Sequence, residues 1–546
     1  MKAQNQTLIL AADNIGSDDN YNKQLVPIHG KPAIAWVIDS FKKNSDIFIV
    51  ANKKNTQLLN YLENSYSDCN AIVVDPSDQI ANFGSFSIVN SLLIGLDKVD
   101  DRSNLVVNFG DTLVKDIPDV ENDTIIFSSD ILSSERWTLG KLLKNRLSET
   151  IFDKKTNISL KDKEAFVGYF KFCYVCDLKK IASKVFQSKG TFFDIIKQYN
   201  IIHPFYCYSC NTWFDFGHKS GVTKAQNHFY NSREFNSLYT DPIRSIITKR
   251  STNIQKLRDE WDWYRSLPNE LQTLIPRILS FNDDIDTASL TMEMYGYPPL
   301  SELFIYGNLG IEEWELIVRR LFEVHKLFES YTSLLRIENY ISLYKEKTSQ
   351  RIEDLRQQNV IWEEILNYQS IIINGKNYKN INQLKDQLNK CLDQLILTAK
   401  VTIIHGDYCL SNILFDSKTL LCKLIDPRGR LKEKTIYGDP RYDIAKLRHS
   451  IVGGYDFIVH GLFKIQRNGN KFIYIQSNIE FKDKLEEVFN KITQKFEYQQ
   501  DEIELIEALL FLTMIPLHKD SLDRQMMFYV IAIIKLNQYF ERYGTK

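Results

Sequence analysis

Short apolar runs alternate with amphipathic stretches along residues 1–230, and this alternation constrains the fold more than any other feature. The runs TLILAA, DIFIVA, AIVVD, NLVVNFGD and DTIIFSSD have the length of β-strands. Between them, PAIAWVIDSFKKN and SFSIVNSLLIGLDKV show the spacing of apolar residues that is typical of helices. The pattern predicts a mostly parallel sheet flanked by helices. Such sheets bind ligands at the carboxyl ends of their strands.

The pattern changes after Asn231. RSIITKRS and SLTMEMYG are predicted strands, LRDEWDWYRSL is a predicted helix, and long helices such as IEEWELIVRRLFEVHKLFESY follow. A chain of 546 residues is also too long for one hydrophobic core, since domains average roughly 150 residues. We therefore predict two domains, residues 1–231 and residues 232–546.

Composition excludes several classes of partner. The net charge of -1 provides no field that would attract nucleic acid. No apolar stretch reaches the ~18 residues of a membrane helix, so we expect no membrane partner. The eight cysteines, in a long chain that does not begin with a signal peptide, are typical of reduced thiols. We expect a cytoplasmic protein, and the sequence does not indicate its oligomeric state.

The strongest motif is TIIHGDYCLSNILFDSKTLLCKLIDPRGR. An apolar strand leads to Asp407, Asn412 follows five residues later, and a second strand leads to Asp426. Phosphoryl transfer from a nucleotide requires these groups in this order. One carboxylate orients the attacking hydroxyl, while an amide and a second carboxylate hold Mg²⁺ on the phosphates. We assign these roles to Asp407, Asn412 and Asp426.

These residues resemble the aminoglycoside phosphotransferase and choline kinase group, whose fold is protein-kinase-like (α+β). The resemblance covers roughly residues 233–546 and implies ATP and Mg²⁺ as cofactors. It also implies that Lys249, in SIITKRS, binds the nucleotide phosphates and that Glu260, on the next helix, pairs with it. GDPRYDIAKL matches the segment beneath the catalytic loop, where Asp443 has a structural role.

The residues after Asp426 bear on the acceptor. Choline-specific members of this group follow the metal-binding aspartate with an aromatic residue and an acid. Here Pro427-Arg428-Gly429 follows instead, and Arg428 would repel a quaternary ammonium. A neutral or anionic hydroxyl compound, such as a sugar or polyol, fits better, and choline remains an alternative.

The segment LILAADNIGSDDNYNKQLVPIHGKP, from Leu8, resembles the opening of the sugar-nucleotide nucleotidyltransferases. That family has a doubly wound α/β (GT-A-like) fold. The resemblance implies that Gly16 and Ser17 contact the nucleotide and that Lys23 is catalytic.

Three further segments extend this resemblance over residues 7–230. NLVVNFGDTLV places Asp111 where the family binds Mg²⁺, and NTWFDFGHKSG places Asp215 as the second metal carboxylate. ETIFDKKTN supplies the matching catalytic lysine, Lys154. AFVGYFKF resembles the strand that follows, with Gly168 where the chain approaches the substrate.

The opening loop also departs from the family pattern. Asp13, Asp18 and Asn22 replace a glycine, an arginine and a proline. At roughly 4 Å and an effective dielectric constant of 20, one repulsive charge costs about 4 kcal/mol against a triphosphate. The sequence leaves two alternatives: an active transferase, or an N-terminal domain that binds without catalysis.

Two Cys-x-x-Cys pairs, Cys173 with Cys176 and Cys207 with Cys210, have the spacing of some zinc sites. We interpret both segments as strands, where residues three apart face opposite sides. We therefore favour cysteines packed in the protein over a zinc site.

Together the two halves predict a bifunctional enzyme. The C-terminal domain would phosphorylate a sugar or polyol with ATP. The N-terminal domain would couple that phosphorylated substrate to a second nucleoside triphosphate (CTP, GTP or UTP) and release pyrophosphate. The family resemblance implies a nucleotide-activated precursor for surface polysaccharide. Two alternatives stay open: a choline kinase fused to a phosphocholine cytidylyltransferase, and a kinase whose N-terminal domain only binds.

Overall fold

The computed structural model describes residues 5–544, apart from 13–20, 29, 43–44, 76–87, 116, 132–133, 135–136, 152–158, 230–235, 242, 285–287 and 335. The chain divides into two compact units, Met1–Phe229 and Tyr230–Lys546. The boundary predicted at residues 231 and 232 lies outside the described residues and stays a prediction. None of the helices in the described part of the chain has the length and hydropathy needed to cross a membrane.

The N-terminal unit is built from thirteen strands and six helices among its described residues. The strands are β1 (Asn5–Ala11), β2 (Pro27–Ile28), β3 (Lys31–Pro32), β4 (Asp46–Asn52), β5 (Asn70–Val74), β6 (Asn104–Phe109), β7 (Thr112–Val114), β8 (Thr124–Ser128), β9 (Leu139–Leu143), β10 (Arg146–Ile151), β11 (Lys163–Phe172), β12 (Tyr206–Ser209) and β13 (Trp213–Asp215). The helices are α1 (Ala33–Phe41), α2 (Thr56–Ser65), α3 (Ile88–Leu96), α4 (Val175–Gln187), α5 (Phe192–Ile202) and α6 (Lys219–Phe229).

Nine of these strands form one sheet, in the order β5-β4-β1-β6-β11-β8-β12-β10-β9. The first four strands are parallel, as the alternation predicts. β11, however, pairs antiparallel with both β6 and β8, so the expectation of a mostly parallel sheet is wrong for the second half. The prediction failed because the direction in which β11 enters the sheet is not encoded in the sequence of the strand itself.

Gly168 lies at an irregularity in β11, with a φ of +95°. A Cβ there would come within 2.8 Å of the Phe109 ring and 3.2 Å of Thr112 Oγ1. Only glycine tolerates both this conformation and this contact. Gly168 therefore lets β11 pack closely against β6 and β7.

The segment FKFCYVC is not a single strand, contrary to our interpretation. β11 ends at Phe172, Cys173 follows it, and Cys176 is an exposed residue of α4. Cys207 and Cys210, by contrast, are buried on and just after β12.

The C-terminal unit consists of a small lobe that is rich in strands and a larger, mostly helical lobe. Its strands are β14 (Asn236–Asp241), β15 (Ile246–Ser251), β16 (Ile278–Asn282), β17 (Ser289–Glu293), β18 (Ser370–Ile373), β19 (Lys376–Lys379), β20 (Thr402–Ile403), β21 (Ile413–Asp416), β22 (Leu421–Leu424), β23 (Tyr437–Gly438), β24 (Phe463–Asn468) and β25 (Lys471–Gln476). Its helices are α7 (Ile254–Ser266), α8 (Leu300–Tyr306), α9 (Ile311–Glu329), α10 (Ile337–Ile341), α11 (Lys347–Gln358), α12 (Val360–Asn367), α13 (Ile381–Leu397), α14 (Pro440–Ile451), α15 (Tyr455–Val459), α16 (Lys482–Lys495), α17 (Gln500–Met514) and α18 (Leu522–Tyr543).

In the small lobe, the sheet β14-β15-β17-β16 packs beside helix α7. The large lobe is mostly helical and holds the β21–β22 hairpin that carries the strongest motif. A second four-stranded sheet, β19-β18-β25-β24, has no counterpart in our prediction. The predicted fold class is confirmed: an α/β unit is followed by a kinase-like unit.

Candidate active sites

Lys249 is the centre of a partly buried charge cluster in the C-terminal unit. It lies on β15, and its Nζ is 2.7 Å from Glu260 Oε2 on α7. The same Nζ is 2.6 Å from Asp426 Oδ1, just after β22. Lys249 is 6% exposed and Glu260 is 1% exposed. The Lys249 ammonium group thus connects the small lobe, which contains Lys249 and Glu260, to the large lobe, which contains Asp426.

The pKa values of this cluster follow from burial and mutual charge. Burial, together with the Asp426 carboxylate, raises the pKa of Glu260 to about 7 despite the nearby Lys249. Burial opposes ionisation of Lys249, but the two carboxylates outweigh it and hold the pKa of the ammonium above its usual value. Burial also opposes ionisation of Asp426, yet Lys249 lowers the pKa of that carboxyl. Lys249 therefore stays charged, ready to bind phosphate.

Asp407 and Asn412 form a second group of contacts. Asn412 Nδ2 donates to Asp407 Oδ2 at 3.0 Å and to the Asp407 carbonyl at 2.9 Å. The amide oxygen of Asn412 is therefore left to accept, or to bind a cation. Asp407 Oδ1 is 2.8 Å from the ammonium of Lys446, a buried residue of α14. Burial opposes ionisation of Asp407, but Lys446 outweighs it and holds the pKa of that carboxyl well below its usual range.

The hairpin brings Asn412 and Asp426 to the same place. β21 and β22 pair from Ile413 with Leu424, and the Ile425 amide donates to the Asn412 carbonyl at 3.0 Å. Asp426 then adopts a φ of +56°, a conformation uncommon outside glycine. Strained backbone of this kind persists where the surroundings fix it, often at functional sites.

Asp443 supports the catalytic loop from below. Its carboxylate accepts from the His405 amide at 2.7 Å and from the Gly406 amide at 2.9 Å. Asp443 is 0% exposed. Its Oδ2 lies 3.4 Å from Nε2 of His325, a residue of α9. The histidine of the HGD motif is itself 1% exposed and packs on Trp263. These contacts fix the loop that carries Asp407.

We predict that Asp443→Ala destabilises the C-terminal unit by on the order of 3–5 kcal/mol, because two buried N–H donors lose a charged acceptor. Asp443→Asn should cost less, since one acceptor oxygen remains. Differential scanning fluorimetry checks this, with the exposed Asp386→Ala of α13 as control. A melting temperature that is equal for Asp443→Ala and the control would contradict the structural role.

His325 predicts a pH dependence of stability. Burial lowers its pKa, but Asp443 and Glu329 outweigh burial, so the pKa of His325 rises from 6.5 to about 9. Because the folded pKa is raised, the stabilisation is complete below pH 6.5 and is lost as the pH rises through 9. The loss should be on the order of 3 kcal/mol.

Urea unfolding between pH 6 and 10 measures this effect. Tyr442 and Lys347 titrate in the same range, with pKa values of about 7 and 8. The decisive comparison is therefore between the wild type and His325→Gln, whose unfolding free energy should fall less steeply. Identical slopes would refute the assignment.

In the N-terminal unit, Asp111 and Asp215 meet at the carboxyl edge of the sheet. β1 and β6 are parallel, and the Gly110 amide donates to the Leu10 carbonyl at 2.9 Å. Asp111 therefore lies at the carboxyl end of β6, beside the carboxyl end of β1.

Gly217 shows how close the two carboxylates are. A Cβ on Gly217 would lie 2.7 Å from Asp111 Oδ2 and 3.1 Å from Asp215 Oδ1. The Phe216 amide also donates to the Asp111 carbonyl at 2.7 Å. A side chain at position 217 would therefore collide with both acids.

The structure describes only some of the other residues that are predicted for this site. Lys23 begins a 3₁₀-turn, Lys23–Leu25, which the Asn22 side chain caps. Gly16, Ser17 and Lys154 lie outside the described residues. The His218 ring contacts Asp215 Oδ2 through Nδ1. Among the described residues, no group of three or more His, Cys, Asp or Glu side chains is arranged to hold a metal ion.

The sequence reasoning missed two cations near Tyr442, namely Lys446 and Lys347. Lys446 lies in GDPRYDIAKL, four residues after Tyr442, and this helical spacing places both on one face of α14. Lys347 reaches Tyr442 from α11, and no sequence signal connects them.

Residues 334–456 match the model of the phosphotransferase enzyme family, APH. The match contains Asp407, Asn412, Asp426 and Asp443, and it confirms the prediction of a phosphotransferase-type domain in the C-terminal unit. A comparison with curated protein sequences gives no match.

Solved structures similar to this chain fall into two groups. A choline kinase from Streptococcus pneumoniae is 14% identical and has a TM-score of 0.36, and the match covers 56% of this chain and 91% of that one. An aminoglycoside phosphotransferase from Streptomyces rimosus is 15% identical, with a TM-score of 0.34 and coverage of 51% and 90%. A CTP:phosphocholine cytidylyltransferase from Streptococcus pneumoniae is 17% identical, with a TM-score of 0.34 and coverage of 41% and 98%.

Proposed function

We propose that this chain phosphorylates a small hydroxyl compound with ATP and then couples the phosphorylated product to a second nucleoside triphosphate. One observation carries the first half of the proposal. Lys249 Nζ lies within 2.7 Å of carboxylate oxygens of both Glu260 and Asp426, and Asn412 contacts Asp407 at the adjacent loop. A phosphotransferase requires these groups together.

In the first reaction, Asp407 orients the acceptor hydroxyl and accepts its proton. The hydroxyl oxygen forms a bond to the γ-phosphorus of ATP, and the bond to the β–γ bridging oxygen breaks. ADP leaves with the electron pair. Lys249 binds nucleotide phosphate oxygens, and Glu260 keeps the ammonium in place. Because the transition state is loose, the low pKa of Asp407 does not prevent this role.

Asn412 and Asp426 fit Mg²⁺. They offer an amide oxygen and a carboxylate, the hard oxygen ligands that this cation prefers, and the nucleotide phosphates complete its coordination. When bound, Mg²⁺ would neutralise charge on the transferred phosphoryl group.

In the second reaction, a phosphate oxygen of the phosphorylated acceptor attacks the α-phosphorus of CTP, GTP or UTP. The bond to the α–β bridging oxygen breaks and pyrophosphate leaves. The closeness of Asp111 and Asp215 around Gly217 supports a Mg²⁺ site here, again with phosphates as the remaining ligands. We assign phosphate binding to Lys23 and Lys154, and nucleotide contacts to Gly16 and Ser17.

We propose a sugar or polyol as the acceptor and a nucleotide-activated precursor of surface polysaccharide as the product. Choline is the alternative acceptor. The Arg428 guanidinium lies near Asp407, where it helps to lower the pKa of that carboxyl, and it would repel a quaternary ammonium. A chain whose N-terminal unit only binds is the second alternative.

A substrate screen tests the proposal. The full chain is incubated with ATP, each of CTP, GTP and UTP, and a panel of sugars, polyols and choline, and products are read by mass spectrometry. We expect one acceptor to gain first a phosphate and then a nucleotide. A phosphorylated acceptor that never gains a nucleotide would favour the kinase-only alternative.

A further inference from the structure

Three basic side chains surround Tyr442 beside the catalytic loop. Lys347 Nζ donates to the Tyr442 hydroxyl at 3.1 Å. The guanidinium carbon of Arg428 lies 5.2 Å from the centre of the Tyr442 ring. Lys446, one turn further along α14, pairs with Asp407 at 2.8 Å. We call Lys347, Arg428 and Lys446 the basic cluster.

The basic cluster carries more positive than negative charge. Asp407 is the carboxylate that pairs with Lys446, but no carboxylate of the described residues forms an ion pair with Lys347 or Arg428. The nearby acids are otherwise engaged: Asp439 pairs with Arg441, and Asp443 accepts two backbone amides. Partly buried cations that no carboxylate of the described residues neutralises are costly, so the cluster is suited to bind an anion.

The titration behaviour of the cluster agrees with this excess. Burial lowers the pKa of Lys347 to about 8, and the charge of Arg428 acts in the same direction. Burial opposes ionisation of Tyr442, yet Arg428, Lys347 and Lys446 outweigh it and lower the pKa of the hydroxyl to about 7. The lowered pKa of Tyr442, which the three cations cause, agrees with a site that favours negative charge.

The basic cluster lies on the acceptor side of the reaction. Lys249, which serves the nucleotide, contacts Asp426. Lys446 of the cluster instead pairs with Asp407, the residue that receives the acceptor hydroxyl, and the charge of Arg428 also acts on Asp407. Arg428 is fixed there because its amide donates to the His405 carbonyl at 3.0 Å and its Cβ packs against Gly406. Lys347 comes from α11 in the large lobe, which takes no part in holding Lys249.

We propose that Lys347 and Arg428 bind an anionic group, a carboxylate or a phosphate, on the acceptor whose hydroxyl Asp407 receives. This inference rests on the proposed kinase function. It narrows the acceptor from any sugar or polyol to one that carries an acid, such as a sugar acid, a hydroxy acid or a sugar phosphate.

Matched acceptors test the proposal on the full chain. Glycerol, glyceric acid and glycerol 3-phosphate form one series; glucose, glucuronic acid and glucose 6-phosphate form a second; choline is the cationic probe. ADP formation and mass spectrometry report transfer from ATP. We expect kcat/KM to be at least tenfold higher for an acidic member than for its neutral partner. Comparing the acid with the phosphate identifies which anion is bound.

Variants assign the effect to the two residues. Lys347→Met and Arg428→Met should each raise the KM for the acidic acceptor tenfold or more, while the KM for ATP changes less than twofold. Lys347→Arg keeps the positive charge, so its KM for the acidic acceptor should lie close to that of the wild type. Lys345→Met, on the preceding π-helical turn, removes a lysine that pairs with Asp393 and should change neither KM.

Two results would overturn the inference. Efficient phosphorylation of neutral compounds or choline only, with a KM that both Met variants leave unchanged, rejects the anion site while the kinase function stands. If the wild type transfers phosphate to none of the compounds, the result counts against the proposed kinase function, and the inference falls with it.

Discussion

Asp407→Asn is expected to abolish phosphorylation of the acceptor while nucleotidyl transfer from a supplied phosphorylated acceptor continues. The amide oxygen can still accept from Asn412, so the loop keeps its shape, but it cannot take up the hydroxyl proton. Loss of a positioned base typically costs 10²–10⁴-fold in rate, so we expect turnover to fall by about 10³-fold. ADP release with the acceptor present measures it.

The matched control for this change is Asp416→Asn. Asp416 ends β21 on the same hairpin, and its carboxylate accepts from the turn that follows, at Lys418 and Thr419. This variant should retain the wild-type rate. If Asp407→Asn also retains more than a tenth of the wild-type turnover, Asp407 is not the residue that receives the proton.

Asp111→Asn should produce the opposite result. Acceptor phosphorylation continues, but release of pyrophosphate from the second nucleoside triphosphate falls by ~10²-fold or more. The reason is that a neutral amide replaces one of two carboxylates that approach the same point at Gly217. Several kcal/mol of charge stabilisation depend on a metal held this way, and each 1.36 kcal/mol is tenfold in rate.

Asp97→Asn is the control for the N-terminal unit, since Asp97 is a surface residue that pairs with the adjacent Lys98. A pyrophosphatase-coupled assay with the phosphorylated acceptor reads both variants. Unchanged pyrophosphate release in Asp111→Asn would show that the N-terminal unit binds without catalysing, the alternative that the acidic loop residues Asp13 and Asp18 leave open.

Interactions that are short in sequence could be predicted, with the resemblance to the kinase group indicating which residues pair. Lys249 and Glu260 are eleven residues apart, on a strand and the helix that follows it, and the strand–helix step places them within 2.7 Å. The apolar runs before Asp407 and Asp426 likewise predict the two strands that deliver these residues. Such features could be predicted because one supersecondary unit contains both partners.

Long-range packing could not be predicted in the same way. Lys347 meets Tyr442 across 95 residues of chain, and nothing in either segment encodes the encounter. The antiparallel entry of β11 and the sheet of β18, β19, β24 and β25 have the same origin, because strand periodicity specifies faces but not partners. The Lys347–Tyr442 contact belongs to the basic cluster, on which the proposed acceptor class depends.

The central claim is that one phosphate passes from ATP through both sites into the product. The most direct measurement uses ATP labelled with ¹⁸O in its γ-phosphate, an acceptor from the screen, and unlabelled CTP, GTP or UTP. We predict that mass spectrometry finds the label in the phosphate adjacent to the acceptor in the nucleotide-linked product, and that the released pyrophosphate is unlabelled. Label that remains in the phosphorylated acceptor alone, with no nucleotide-linked product, would contradict the account.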